Sequence, residues 1–430
     1  MKLDSSIAAV VTGGASGLAR ASATALAAEG VKVAIFDVNE EGGKAVAAEI
    51  DASRVHHRAG AGRRWRQSGN AAVKQHVFEI DVSEAAALGE AAHVAVTVHL
   101  PQSECISDPP IVCFGKPGGG YSRGYYTCDL PGPSQGIGSE ADWHAERGWI
   151  FVSVDHLGVG GSSLHDAALL DYAAVSAANS AAEAEVLKRL CDGTLDCDFP
   201  PVCEPVTIGI GQSMGGCLTV VQQGRFSSYD GIAVLGYSAV HTHPPVRPGM
   251  RQLVAPWYTR DRLIGDPSIV TNRQAIKEFM SNGPYPDRGQ AMAWGFHYDD
   301  VPDEVVESDL AHFNRDIHDP ASQAGHTTNP WNSLTTPGAV AQTCLTPGII
   351  AAEAAAVSVP VLVGMGERDT CADVKGEARA YLSATSVDIF VCPRMGHMHN
   401  FAGTRELFWQ RIDRFGNWCA EMKKHRQIAN

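Results

Sequence analysis

Apolar residues in this chain gather in short, nearly continuous runs, and the spacing of those runs sets the predicted elements. Alternation at Phe78, Ile80 and Val82, repeated at Val94, Val96, Val98 and Leu100 after a turn-length gap, predicts a hairpin. Beyond it, strands are predicted over residues 110–114, 149–154, 206–211, 232–236, 359–365 and 387–392. Most of these runs are apolar throughout, the pattern of parallel strands buried on both faces. Stretches 166–190 and 404–422, rich in helix formers, read as helices. An antiparallel entry followed by strand and helix alternation predicts an α/β fold with a mostly parallel sheet and helices on both faces. Right-handed crossovers then bring the strand C-termini to one edge, where a site is expected.

Two stretches break this grammar. Residues 1–50 form a unit of their own: a strand over 7–12, a glycine turn over 13–17, a helix to Glu29, and a second strand over 31–36 closed by Asp37. Residues 51–75 carry Arg54, His56, His57, Arg58, Arg63, Arg64 and Arg66 with little aliphatic periodicity, and read as a linker. A basic nucleic-acid arm is the other reading of that run, though such runs are usually solvated. The second break, residues 239–356, is rich in Pro, Trp, Tyr and His and too long for a plain connection, which predicts an inserted cap. The core is then split over 76–238 and 357–430. Trp257, Tyr258, Trp294, Phe296, Tyr298 and Trp331 either line an apolar pocket under that cap or hold the cap together.

Composition narrows the partners. A net charge of -14 argues against a phosphate-binding surface as the main business of the molecule, so no nucleic acid is expected and a small, uncharged or weakly polar ligand is. No run reaches the roughly 18 apolar residues of a membrane span, and the N-terminus lacks a cleavage site, which points to the cytoplasm. Oligomeric state is not readable. Among eleven cysteines no CxxC pair occurs, and Cys191, Cys197 and Cys203, six apart, fit no zinc module; no metal is expected. The cysteines read as reduced, a single disulfide among those three being the alternative.

The chemistry concentrates at Gly211-Gln212-Ser213-Met214-Gly215, which follows an apolar strand and opens a helix-compatible run. A sharp strand-to-helix turn presents a serine hydroxyl and aims the Met214 N–H at a developing oxyanion. Serine needs a base, and the base needs a holder. Asp369 follows the strand at 359–365 and His397 the strand at 387–392, both at predicted C-terminal ends. Taken singly, Asp369 also reads as a helix N-cap and His397 as a surface histidine; Glu367 and His399 are their nearest competitors. A second oxyanion donor is expected from Gly119 or Gly120 in Pro117-Gly118-Gly119-Gly120-Tyr121-Ser122.

Together the Ser213 turn, Gly366-Glu367-Arg368-Asp369, Gly396-His397-Met398-His399 and the glycine loop resemble the α/β-hydrolases over about residues 76–430. The resemblance implies acyl transfer to water through an acyl-enzyme, without metal or organic cofactor, with esters and lactones as the common substrates. The same triad also serves carbon–carbon bond hydrolysis and acyl transfer. Pro117 departs from the family pattern, in which His often precedes the glycines.

Residues Thr12-Gly13-Gly14-Ala15-Ser16-Gly17 resemble the glycine motif of short-chain dehydrogenases, with Asp37 where a ribose-binding acid is expected. Gly13, Gly17 and Asp37 are thus candidates for nucleotide binding. The Tyr-x-x-x-Lys pair those enzymes use is missing, so a truncated unit without NAD chemistry is expected. Residues 76–90 also read as that fold's third strand and helix, although the strand at 94–100 suits a hydrolase hairpin better.

Overall fold

The computed structural model describes residues 73–249, 288–314 and 328–429, and nearer the N-terminus 8–12, 17–28, 31–37, 39, 42, 44–46 and 55–57. The chain divides into two compact units, Met1–Ala71 and Ala72–Asn430.

In the smaller unit, strand β1 (Ala8–Thr12), helix α1 (Gly17–Ala28), β2 (Lys32–Phe36) and β3 (Val55–His57) build a parallel three-stranded sheet in the order β1-β2-β3. Ala23, Ala27, Val31, Val33, Ile35 and Val46 form its core. The third strand corrects the reading of 51–75 as plain linker, because Val33 to Ile35 pair with Val55 to His57. Ladder bonds come from the backbone, so a strand can be recruited from a sequence with no apolar period.

The larger unit holds an eight-stranded sheet. In chain order its strands are β4 (Lys74–Asp81), β5 (His93–Leu100), β6 (Ile111–Lys116), β7 (Ile150–Val154), β8 (Val206–Gln212), β9 (Gly231–Leu235), β10 (Val361–Gly366) and β11 (Val387–Cys392). The sheet order is β11-β10-β9-β8-β6-β7-β5-β4. Only β5 runs against its neighbours, β4 and β7; every other pairing is parallel. This is the α/β-hydrolase architecture with its antiparallel entry. Lys74 already pairs with Leu100, so the large sheet starts inside the stretch expected to be linker.

Helices α2 (Glu140–Ala145), α3 (Tyr172–Cys191), α4 (Met214–Phe226), α5 (Arg288–Phe296), α6 (Asp303–Leu310) and α7 (Arg405–Ala429) accompany the sheet, α5 and α6 belonging to the insertion after β9. Every residue of β6, β7 and β9 is buried, which explains their unbroken apolar runs. One core cluster joins β5, β7, α3 and α4; a second joins β6, β8, β11 and α7 on the other face. No helix among the described residues is long and apolar enough to cross a membrane.

Two features depart from apolar packing. Cys191, ending α3, and Cys203, just ahead of β8, form a disulfide with Cα atoms 4.5 Å apart, correcting the reading of all cysteines as reduced; Cys197 stays free and exposed. The turn that brings the chain back from α3 to β8 is what sets the two side by side. At the end of β6, Lys116 is fully buried, its Nζ 2.5 Å from both Glu183 Oε1 and the Tyr229 hydroxyl. Glu183 Oε2 also accepts from Tyr229 at 2.6 Å and from Gln222 at 2.7 Å. Removing one partner of such a pair leaves an uncompensated buried charge. Lys116→Ala is therefore expected to lower the unfolding free energy by about 3–5 kcal/mol, with Lys116→Met plus Glu183→Gln recovering most of the loss. Urea denaturation followed by tryptophan fluorescence reads this, and a single-variant loss no larger than the double variant's would refute it.

Candidate active site

Parallel strands place the ends of β6, β8, β10 and β11 on one sheet edge, and the four sequence motifs follow those ends. In register, Lys116 pairs with Gly211 and Gln212 with Leu235, so the glycine loop after β6 starts beside the turn after β8.

At that turn Ser213 adopts φ 55° and ψ -120°, a conformation L residues rarely take, and caps α4. Its N–H donates to Leu235 O at 2.7 Å, which helps hold the strained geometry. Gly215 has no room for a side chain: a Cβ there would collide with Lys116 O and Pro117 O. The turn and the glycine loop can touch only because this residue is glycine. Met214 is the first residue of α4, so its N–H has no acceptor within the helix.

Asp369 and His397 meet. His397 Nδ1 lies 2.7 Å from Asp369 Oδ1, and both side chains are almost wholly buried. The carboxylate accepts three further bonds: from His399 Nε2 at 2.7 Å, the Gly366 N–H at 2.7 Å and the Thr370 N–H at 2.8 Å. Burial pushes its pKa up, but the charge and hydrogen bonds of His397 and His399 outweigh burial, and the net shift is well below the usual carboxylate range. Gly236, at φ +59° after β9, lets the pair pack on the backbone; a Cβ there would stand 3.1 Å from His397 Nδ1 and 3.2 Å from Asp369 Oδ1.

The competitors separate in space. Glu367 accepts from the Arg394 N–H at 2.7 Å and the Tyr298 hydroxyl at 3.3 Å, away from His397. His399 shares the Asp369 carboxylate instead of replacing His397. Ser213 Oγ makes no hydrogen bond to His397; the ring's Nε2 instead lies 3.3 Å from Gln212 Nε2.

In the glycine loop, Tyr121 N–H donates to Gly118 O at 3.2 Å, closing a turn over Gly119 and Gly120. Neither of those two N–H groups finds an acceptor among the described residues. Gly120, at φ +82°, packs against His312 and Phe313 of the insertion. Of the aromatics singled out in the sequence, Phe296 lies against His397 with ring centroids 4.9 Å apart. Tyr298 reaches Glu367, Trp294 stacks under Arg368, and Trp331 donates to Asp309 at 2.8 Å, so these three hold loops together. Trp257 and Tyr258 lie outside the described residues. A cleft of about 570 Å³ opens between Arg123, Asp155, Asn329 and Ser333; Ser213, Asp369 and His397 do not line it.

Several supporting residues carried no motif. His156, after β7, donates from Nε2 to Pro117 O at 3.1 Å and accepts from Asn179 at 3.0 Å, propping the glycine loop from beneath. Burial, reinforced by the Lys116 charge, lowers its pKa to about 4, which keeps it neutral. Asn400 fixes the His397 loop by donating to Glu140 Oε2 at 2.7 Å, to Tyr125 O at 3.2 Å and, from its N–H, to the Tyr125 hydroxyl at 3.0 Å. His156 stands just past the apolar run of β7, a signal that was available, whereas Asn400 lies well beyond the end of β11 and had none.

Of the nucleotide-binding candidates, Gly13 lies outside the described residues. Gly17 opens α1, and Asp37 accepts from the Asn39 N–H at 2.8 Å.

A family model described as short chain dehydrogenase matches residues 7–94, which runs from β1 into the first residues of β5. A comparison with curated proteins gave no match. Among solved structures, the chain is similar to a proline iminopeptidase of Mycobacterium smegmatis at 16% identity and TM-score 0.49, over 80% of this chain and 98% of that one. It is also similar to a thermophilic esterase from Thermogutta terrifontis at 13% identity and TM-score 0.49, over 80% and 99%. A haloalkane dehalogenase variant from Bradyrhizobium elkanii gives 12% and 0.46, over 84% and 100%.

Glu140 supplies a pH test of the site's support. Burial raises its pKa to about 8 against the opposing pull of Asn400 and Arg405, so the folded protein keeps its proton while the unfolded chain releases it near pH 4.5. Stability then falls as pH rises from about 4.5 to 8, at up to about 1.4 kcal/mol per pH unit. Glu140→Gln is expected to remove that decline. Melting curves of both proteins between pH 5 and 8.5 should diverge as pH rises; a constant offset would disprove a neutral buried Glu140.

Proposed function

We propose that this chain is a serine hydrolase that cleaves a carboxylic ester or lactone through an acyl-enzyme. Ser213 is the nucleophile, His397 the base and Asp369 the acid that orients it. The observation that carries this reading is a buried Asp369–His397 hydrogen bond on the sheet edge that also presents Ser213 in a strained strand-to-helix turn.

Since a carboxylate can only accept, Asp369 fixes the proton on His397 Nδ1 and leaves Nε2 unprotonated, the nitrogen that acts as base. The Ser213 hydroxyl turns toward Nε2 when substrate arrives; such bonds often tighten only in the complex. Oγ attacks the carbonyl as Nε2 takes its proton. The N–H groups of Met214 and of Gly119 or Gly120 then face the oxyanion, the last two being free of acceptors in the resting loop. Collapse releases the alcohol with the proton from His397, and water repeats the sequence to free the acid. These steps use the chain's own side chains and backbone N–H groups, with water as the co-reactant. The partner is a small-molecule substrate. A cytoplasmic location belongs to the same proposal.

A fluorophosphonate should label Ser213, located by peptide mass mapping, and Ser213→Ala should lose both labelling and turnover on an ester and lactone panel. Label on another residue, or turnover retained by Ser213→Ala, sinks the proposal. Asp369→Asn should cut kcat by about 10⁴-fold because an amide can no longer hold both imidazoles in their tautomers. A drop below tenfold would remove Asp369 from the triad.

A further inference from the structure

The residue just before the nucleophile does something the proposed mechanism leaves unused. Gln212 is buried to within 1% of its surface, and its side-chain nitrogen donates to His397 O at 2.9 Å. A carbonyl accepts only, so this bond orients the amide with its NH₂ toward the His397 loop. The same nitrogen lies 3.3 Å from His397 Nε2 and 3.9 Å from Met398 Sδ. With Nδ1 committed to Asp369, Nε2 offers a lone pair within hydrogen-bond distance of the amide nitrogen, whose second hydrogen is free to donate to it. Gln212 Oε1, on the other side, has no hydrogen-bond partner among the described residues and fills the place a side chain at Gly118 would occupy.

We propose that Gln212 is a positioning residue that caps the His397 lone pair in the resting protein and thereby lowers the proton affinity of the base. The inference rests on the triad reading above. A donor to Nε2 stabilises the neutral ring and has nothing to offer the imidazolium, whose Nε2 is itself a donor. The charged and titratable groups facing His397 among the described residues are Asp369 from the loop after β10 and His399 from its own loop, which shares that carboxylate. Phe296 from α5, Gly236 after β9 and Gln212 from β8 bring no charge.

The test is the pH dependence of Ser213 inactivation by a fluorophosphonate, and of p-nitrophenyl ester hydrolysis, in the full-length chain. Gln212→Met, close in shape and without a donor, should move the acid limb up by about half to one pH unit. Gln212→Glu, whose carboxylate favours the imidazolium, should move it further. A role confined to packing would lower the rate at every pH and leave the limb in place, which overturns the proposal. Should either variant fail to fold, ¹⁵N NMR of His397 in the wild type decides: a hydrogen-bonded, unprotonated Nε2 in the resting protein is expected, and an uncapped one refutes the cap. Loss of all labelling in Ser213→Ala alongside an unmoved limb in the Gln212 variants defeats this inference alone. Labelling that survives Ser213→Ala defeats the triad reading beneath it.

Discussion

The parallel pairing of β6, β8, β9, β10 and β11 is the constraint from which the rest follows. Strands that run the same way must end on the same edge, and each of these ends releases a loop there. The glycine loop, Ser213, Asp369 and His397 come from positions spread over nearly three hundred residues, yet their spacing across the sheet is set by strand-to-strand distances alone. Backbone bonds fix that spacing, and because every residue of β6, β9 and β10 is buried, the register is held by side-chain packing on both faces of the sheet. The long insertion between β9 and β10 can grow without disturbing it because both of its ends return to neighbouring strands.

Around this edge the protein buries polar groups and satisfies them in two different ways. Asp369 stays charged because two imidazoles and two backbone N–H groups replace the water it has lost. Lys116 stays beside Glu183 under the glycine loop, each satisfied by the other and by Tyr229. Glu140 and His156 take the other course: burial favours their neutral forms, and neutral forms can hold a loop without facing a field that changes when the site changes charge. Asp369 thus keeps its charge beside His397, and the neutral groups sit where a loop needs a bracket.

The N-terminal unit shows how a sequence match and a structural boundary can disagree. The dehydrogenase match continues to residue 94, while β4, which falls inside it, pairs with β5 in the large sheet. A run such as Val77-Phe78-Glu79-Ile80-Asp81 has the alternation of a half-buried strand in either setting. Local pattern admits both assignments, and only the partner strand decides between them.

Sequence alone determined most strands of the large sheet, the turn around Ser213 and the placing of Asp369 and His397 after successive strands, because apolar runs, glycines and turn residues act on the few residues beside them. Tertiary structure decided what depends on side chains meeting after the chain has travelled far. It put Asp369 and not Glu367 beside His397, set His399 on the same carboxylate, brought Gln212 to the Nε2 edge of His397, joined Cys191 to Cys203 and made a strand of Val55–His57. Each of those outcomes turns on angstrom-scale approach and on the loss of competing water. Neither is written in the spacing of residues along a line.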